Sequence, residues 1–145
     1  METVEFLSGI DIFKNLQPGG LERLAGQMTQ VSFPAGNIIR DNDAADGLYI
    51  IKTGNVKVTK SAAESAGVEA VLAILRQGNS FGELSLIDGL PRSANVTAMG
   101  PVECYFLPRA AFLLSLREDP VLARGMLVAL AGMVRSADQW VSQLI

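Results

Sequence analysis

The 145-residue sequence contains no histidine and only one cysteine, Cys104. Without histidine the chain lacks the usual general base near neutral pH and the usual nitrogen ligand for metals, and one thiol cannot form a disulfide framework or a cysteine zinc site. Cys104 lies in the apolar segment 102–107, so we expect it to be a small buried hydrophobic side chain and not a nucleophile. These absences argue against an enzyme, including a metal-dependent enzyme on a β-barrel, and no catalytic residue or metal site is predicted.

Positive charge and long apolar runs are also scarce. Lys and Arg number 12 against 15 Asp and Glu, a net charge of −3 that argues against direct nucleic-acid binding. Strongly apolar stretches without a charge, such as residues 125–134, span ten residues, about half of what a membrane-spanning helix needs. Residues 1–10 carry two glutamates and no basic residue, unlike a secretory signal. We therefore expect a cytoplasmic protein, in a reducing compartment, with neither nucleic acid nor membrane as a partner.

Hydrophobic periodicity divides the chain into three zones. Residues 1–30 have helical spacing, with Pro18-Gly19-Gly20 expected to break the chain before a helix that contains Leu21 and Leu24. Residues 31–108 contain at least six short β-branched segments separated by glycine, which predict a sandwich or a jelly-roll β-barrel. These segments are 37–40, 48–51, 56–59, 71–75, 95–98 and 102–107. Residues 109–145 return to the helical period. The prediction is a single domain over residues 1–145, mainly β with flanking helices.

Two connections within the β zone have characteristic sequences. Lys52-Thr53-Gly54-Asn55 lies between two alternating runs and predicts a β-hairpin. Residues 61–67 are small and polar, which is typical of a flexible surface loop.

The last helix is predicted to open at Glu118-Asp119, with Pro120 in its first turn. It carries two apolar stripes. The first stripe has heptad spacing and contains Ala123, Met126, Leu130, Met133, Ala137, Trp140 and Leu144. The second stripe contains Leu127, Ala131, Val134, Val141 and Ile145 and is interrupted by Asp138. One stripe is expected to cover the barrel and the other to form a homodimer; the alternative is one wide face packed wholly inside the monomer.

Residues 81–96 combine three groups that suit a sugar phosphate. A single helical turn at residues 83–86 offers free backbone N–H groups to an anion, and Gly82 allows close approach because it has no Cβ. Arg92 supplies a planar fork of donors matched to phosphate oxygens, and Glu83 can accept hydrogen bonds from a pair of hydroxyl groups. Each residue alone has an ordinary structural explanation, such as a helix-terminal carboxylate or a solvated surface charge. Their combination at this spacing favours a binding site.

The motif Phe81-Gly82-Glu83-Leu84 followed by Arg92-Ser93-Ala94 resembles the phosphate-binding cassette of the cyclic-nucleotide-binding domain family. The resemblance extends over nearly the whole chain, through residues 12–16, 35–39, 46–54 and 101–116. It implies a jelly-roll (double-stranded β-helix) barrel at residues 31–108 with the cassette at 81–95, N-terminal helices within 1–30, a short cassette helix, and a long C-terminal helix within 109–145. Asn42 departs from the glycine usual in the family, but asparagine tolerates left-handed backbone geometry.

The resemblance also assigns roles to single residues. It implies that Glu83 accepts from the ribose 2′-hydroxyl and that Arg92 pairs with the cyclic phosphate. The Gly82, Leu84 and Ala94 backbones and the Ser93 hydroxyl would complete the phosphate cradle. Leu72 would form part of the apolar wall for the purine, and Asp138 would contact the base from the C-terminal helix.

The ligand is expected to be cyclic AMP or cyclic GMP, bound as a signal and not as a cofactor. An ionised Asp138 only accepts hydrogen bonds and guanine offers it adjacent donors, which favours cyclic GMP, whereas prevalence in the family favours cyclic AMP. Ser93 is compatible with either nucleotide.

The expected function is that of a non-catalytic sensor that couples nucleotide binding to movement of the C-terminal helix. The output would be a homodimer interface, a downstream protein effector or an output domain missing from this chain. The alternative is a dimerisation scaffold with a vestigial pocket.

Overall fold

The computed structural model describes residues 2–10, 12–39, 46–61, 69–82 and 94–144. The helices are α1 (Glu2–Ser8), α2 (Pro18–Gln27), α3 (Arg109–Glu118) and α4 (Pro120–Leu144). The strands are β1 (Thr29–Phe33), β2 (Gly36–Ile39), β3 (Gly47–Thr53), β4 (Val56–Ser61), β5 (Glu69–Leu75), β6 (Ser80–Phe81), β7 (Asn95–Ala98) and β8 (Val102–Pro108). Two compact units result: residues 27–113, called here the β unit, and residues 1–26 with 114–145, called here the helical unit.

The β unit consists of two four-stranded antiparallel sheets. The first sheet has the order β1-β8-β3-β6 and the second has the order β2-β7-β4-β5. Strand β1 pairs with β8, β2 with β7, β3 with β6 and β4 with β5, which is the pairing of one long hairpin rolled up so that its segments alternate between the sheets. This topology is a jelly roll, so the predicted fold class is confirmed.

The core of the β unit is built from alternating positions of both sheets. Tyr49, Ile51 and Cys104 come from the first sheet, and Val56 and Val96 come from the second. Because successive side chains of a strand point to opposite faces, residues two apart reach the same interior. Cys104 is fully buried, and its burial raises the pKa of the thiol to about 11. The prediction of a small buried hydrophobic side chain at this position is confirmed.

The predicted hairpin at residues 52–55 is wrong. Gly54 does make a tight turn with a φ of 96°, but β3 and β4 on either side of it belong to different sheets. A turn sequence fixes the local chain reversal and does not fix which strands form hydrogen bonds. The strands that pair as a hairpin are β4 and β5.

The predicted loop at residues 61–67 begins within β4, since Ser61 is the last residue of that strand. The rest of that loop lies outside the described residues.

Three element boundaries in the structure differ from the predicted ones. Pro18-Gly19-Gly20 does not break the chain but forms the first turn of α2, since proline lacks the N–H that a first helical residue would leave unpaired. The helical zone ends before Thr29, where β1 begins. Glu118 is the last residue of α3, and Asp119 caps α4: its Oδ1 accepts hydrogen bonds from the N–H groups of Val121 at 3.0 Å and Leu122 at 3.4 Å.

In the helical unit, α4 lies close to the N-terminal segment. An ideal Cβ on Gly125 would lie 2.6 Å from the carbonyl oxygen of Ile12, so the two backbones approach as only glycine permits. Leu122 and Met126 are buried, whereas Leu127 and Val134 are 67% and 68% exposed. The first predicted stripe is therefore buried at Met126, and the second stripe is exposed wherever its side chains are described. Among the described residues no helix is long and apolar enough to cross a membrane.

Candidate functional site

The predicted binding segment, residues 81–95, begins at the end of β6, and hydrogen bonds to β3 hold the turn before β6 in place. The turn before β6 is fixed to β3 by two hydrogen bonds of 2.9 Å: Gly78 N–H donates to the Ile51 carbonyl, and Ile51 N–H donates to the Asn79 carbonyl. Phe81 then pairs with Tyr49, and the two rings stack with centroids 5.0 Å apart. Gly82 follows with a φ of 99°, a conformation that favours glycine. The segment thus begins from a rigid position.

The same segment enters the second sheet. Ala94 directly precedes β7, whose first residue, Asn95, pairs with Thr59 of β4. Residues 83–93 therefore connect the end of a strand in one sheet with the start of a strand in the other. They lie outside the described residues, as do four predicted site residues within them: Glu83, Leu84, Arg92 and Ser93.

Strand register places Leu72 and Ala94 next to the same row of the second sheet, on either side of β4. Thr59 pairs with Asn95 on one side and with Val71 on the other, so these three residues form one row across β7, β4 and β5. Adjacent strands are about 4.8 Å apart, which places the backbones of Val71 and Asn95 roughly 10 Å apart. Leu72 and Ala94 each adjoin an end of this row.

A β-bulge lies at Leu72. Val58 pairs with Ala73 and the next residue, Thr59, pairs with Val71, so Leu72 is the extra residue. A bulge breaks the strict alternation of faces and re-aims the side chain. Val71 and Leu72 are accordingly both exposed, at 56% and 57%, although they are consecutive. The bulge thus leaves two consecutive apolar side chains of β5 exposed, next to the row that ends at Asn95.

The row also contains a buried polar group that the sequence did not single out. Thr59 is 1% exposed, and its Oγ1 has no hydrogen-bond partner in the part of the chain that the structure describes. The sequence prediction also missed Val71 and Ile74, which are exposed with Leu72 on β5. The unbroken apolar run at 71–75 could have identified them, because a strand buried on one face alternates with polar residues.

Asp138 lies in α4 of the helical unit, with an exposed side chain.

Within the described residues no group of three acidic or cysteine side chains could hold a metal ion. The geometry therefore places Leu72 and Ala94 next to one row of the second sheet, and Gly82 directly after β6 of the first sheet.

A family model described as cyclic nucleotide-binding domain matches residues 30–119, the greater part of the chain and all of the segment 82–94. The chain belongs to the cyclic nucleotide-binding domain family.

Three known proteins illustrate the similarity. A CRP-like cAMP-activated global transcriptional regulator of Mycobacterium tuberculosis is 30% identical over 142 residues, which are 97% of this chain and 62% of that protein. The cGMP-dependent protein kinase isozyme 1 of Drosophila melanogaster is 36% identical over 112 residues, 76% of this chain and 15% of the kinase. The catabolite activator protein of Thermus thermophilus superposes with a TM-score of 0.83 at 30% identity and covers 92% of this chain and 62% of that structure. The chain thus spans less than two thirds of each.

Proposed function

We propose that this protein is a non-catalytic sensor of a cyclic purine nucleotide, cyclic AMP or cyclic GMP, folded as a single domain. The nucleotide binds at residues 81–95, with its phosphate between Arg92 and the backbone that begins at Gly82. Glu83 holds the ribose, and Leu72 forms part of the apolar wall for the base. Leu84, Ser93 and Ala94 complete the phosphate cradle, and Asp138 contacts the base from α4.

The main support for this proposal is the match of the cyclic nucleotide-binding family model to residues 30–119, which include the whole motif from Phe81 to Ala94. The fold is compatible with it, since Gly82 has a positive φ and the exposed Leu72 adjoins the row that ends at Asn95. Relatives named for activation by cAMP and for dependence on cGMP leave the choice of nucleotide open.

Isothermal titration calorimetry on nucleotide-stripped protein tests the proposal. We expect a dissociation constant in the micromolar range or below for cyclic AMP or cyclic GMP and much weaker binding of the linear 5′-monophosphates. Absence of heat with both cyclic nucleotides, from folded protein, would reject the sensor and leave a dimerisation scaffold with a vestigial pocket.

The Arg92→Ala substitution tests the phosphate contact. Charge-assisted hydrogen bonds contribute about 1.5–3 kcal/mol, so affinity should fall roughly 10- to 150-fold. Arg76→Ala is the matched control, because Arg76 is an exposed arginine outside the motif, and its affinity should equal that of the wild type. An unchanged affinity in Arg92→Ala would remove this residue from the site.

We further propose that binding is coupled to α4 and that α4 forms a homodimer through the second apolar stripe. Leu127 and Val134 of this stripe, and Val128 beside it, are each more than 60% exposed, which is unusual for a cluster of large apolar side chains on one helix. A second copy of the chain, presenting the same stripe, would cover them. The signal would pass to a protein effector or to a further domain, as the partial coverage of longer relatives allows.

A further inference from the structure

The ring of Tyr49 lies within an aromatic cluster inside the β unit. Its centroid is 5.0 Å from that of Phe81, with the two planes 10° apart, and 4.8 Å from that of Phe106. The ring of Phe33 meets it edge-on at 5.9 Å. Attractive aromatic pairs have centroids about 4.5–7 Å apart and prefer stacked or edge-to-face arrangements. These contacts therefore hold the Tyr49 ring in a defined orientation.

The hydroxyl of Tyr49 is held as well. It donates a hydrogen bond of 2.9 Å to the Asp46 carboxylate. Asp46 has a fixed backbone, because its carbonyl oxygen accepts a hydrogen bond of 3.1 Å from the N–H of Arg109. The next residue, Gly47, packs so closely on β8 that an added Cβ would lie 2.6 Å from Cε1 of Phe106. Tyr49 is thus attached at both ends of its side chain to fixed parts of the β unit.

Phe81 depends on this ring for much of its attachment to the sheet. It ends β6, an edge strand of two residues, and its partner across the ladder to β3 is Tyr49. Cross-strand side-chain pairs contribute much of the stability of a sheet, and a ladder of two residues has few of them. Gly82 follows directly, with a φ of 99°. A displacement of Phe81 would therefore move the residue at which the predicted phosphate-binding backbone begins.

We propose that Tyr49 is a positioning residue for the phosphate-binding segment: its ring, anchored through Asp46 and stacked on Phe81, holds the chain at Gly82 in the conformation that receives the nucleotide phosphate. Tyr49 acts through Phe81 and needs no contact with the ligand. This inference rests on the proposed function and assigns part of the affinity to a residue outside the motif. When the stack is lost, fewer molecules have the competent conformation, and the apparent affinity falls in proportion.

The second tyrosine of the β unit is a matched control. Tyr105 belongs to the same sheet and is 3% exposed, against 9% for Tyr49. It precedes Phe106 on β8, and successive side chains of a strand point to opposite faces, so Tyr105 lies on the other side of the sheet from the cluster. There its ring contacts the Lys52 ammonium, 5.7 Å from the centroid. Leucine at either position removes a buried ring, but at Tyr49 it also removes the stack on Phe81.

Calorimetric titration with cyclic AMP and cyclic GMP, at a temperature where every variant is folded, tests the proposal. Tyr49→Leu should weaken binding about two- to tenfold, the fold-change that corresponds to the coupling of one aromatic pair. Tyr49→Phe keeps the ring and should recover most of the affinity. Tyr105→Leu should lower the thermal midpoint and leave the affinity unchanged. Wild-type affinity in Tyr49→Leu, or equal losses in Tyr49→Leu and Tyr105→Leu, would overturn the positioning role.

A double-mutant cycle tests whether Tyr49 acts through Phe81. Phe81→Leu removes the same stack from the other strand. The double variant with leucine at both positions should therefore bind no more weakly than the weaker of the two single variants. Losses that add would reveal two independent effects and contradict the assignment.

Amide exchange of glycine-labelled protein, followed by NMR, separates this proposal from the proposed function because it needs no nucleotide. The Gly82 N–H should exchange with solvent faster in Tyr49→Leu than in the wild type or Tyr105→Leu, since the segment then samples other conformations. Unchanged exchange at Gly82 in Tyr49→Leu would refute the positioning role even if the wild type binds a nucleotide. If the wild type binds neither nucleotide but Gly82 responds as expected, the sensor function fails and the positioning of Gly82 by Tyr49 stands.

Discussion

At the residue scale, the buried hydroxyl of Thr59 lowers the stability of the folded protein. Val58 packs against the core of the β unit, so Thr59, the next residue of β4, faces the other side of the sheet. Its Oγ1 is buried and lacks a hydrogen-bond partner among the described residues. A buried hydroxyl without a partner loses its bonds to water and gains none in return, at a cost of about 1–3 kcal/mol.

Thr59→Val should therefore stabilise the protein. Valine keeps the branched shape and removes the hydroxyl, so we expect the free energy of unfolding to rise by about 1 kcal/mol in urea denaturation. Thr53→Val, at an exposed position of β3, is the control and should change stability by less than about 0.5 kcal/mol. Destabilisation by Thr59→Val would show that the hydroxyl forms a hydrogen bond in solution.

Cys104 gives the β unit a defined sensitivity to high pH. The folded state keeps the thiol protonated up to a pKa of about 11, whereas the unfolded chain releases the proton near its ordinary value of 9.0. Between these values the folded state binds more protons, so stability present below pH 9 should be lost as the pH rises toward 11.

Equilibrium unfolding at several pH values from 8 to about 11 measures this effect. Cys104→Ala removes the titrating group and leaves the lysines and tyrosines as they were. The variant should lose less stability over that interval than the wild type, although it starts lower because of the cavity. Parallel curves for the two proteins would contradict a buried, protonated thiol.

At the scale of single elements, α4 contains two glycines in opposite environments. An added Cβ at Gly125 would lie 2.6 Å from the Ile12 carbonyl oxygen, which belongs to a backbone that cannot rotate away. An added Cβ at Gly132 has no heavy atom within 4 Å.

Gly125→Ala and Gly132→Ala should consequently have opposite effects. The first forces the helix away from the N-terminal segment and should cost about 1–3 kcal/mol. The second improves helix propensity at an exposed position and should gain about 0.5–1 kcal/mol. Chemical denaturation of the pair checks both signs, and a gain in Gly125→Ala would refute the close approach.

The sequence predicted the strands that are long and β-branched, because their composition is distinctive. It missed β1 (Thr29–Phe33), which begins with two consecutive polar residues, Thr29 and Gln30, directly after a helix and so lacks a clear strand period. It missed β6, which has two residues and therefore no period. The partners of β3 and β4 were mispredicted because pairing depends on contacts distant in sequence, which the turn at Gly54 does not encode.

At the scale of the whole molecule, intrinsic chromophores report separately on the two units. Both tyrosines, Tyr49 and Tyr105, lie in the β unit, and the single tryptophan, Trp140, lies in α4 of the helical unit. If residues 1–145 form one cooperative domain, these probes must report one transition.

Thermal unfolding followed by tyrosine second-derivative absorbance and by selectively excited tryptophan fluorescence should give coincident midpoints. Cyclic nucleotide at about 100 times its dissociation constant should raise the stability seen by both probes by about 2.7 kcal/mol. Two separated midpoints, or a shift confined to one probe, would show that the units unfold independently.

The sequence predicts a sugar-phosphate site at residues 81–96 because the groups that such a ligand needs lie in one contiguous motif. Residues 83–93 lie outside the described residues, so the cradle stays a prediction. The bulge at Leu72 and the burial of Thr59 were not predictable, since both depend on the register of β4 against β5 and β7. A contiguous motif can be recognised from neighbouring residues, whereas the positions of Leu72 and Thr59 depend on pairing between strands that are far apart in sequence.

The position of β8 has a consequence for biosynthesis. Cys104 pairs with Val31 of β1 on one side and with Ile51 of β3 on the other, so the centre of the first sheet is supplied by its last strand. A nascent chain that has not yet extended past residue 108 holds two strands with unpaired edges. Such edges are prone to intermolecular pairing, and the polypeptide is most exposed to aggregation just before this final strand emerges.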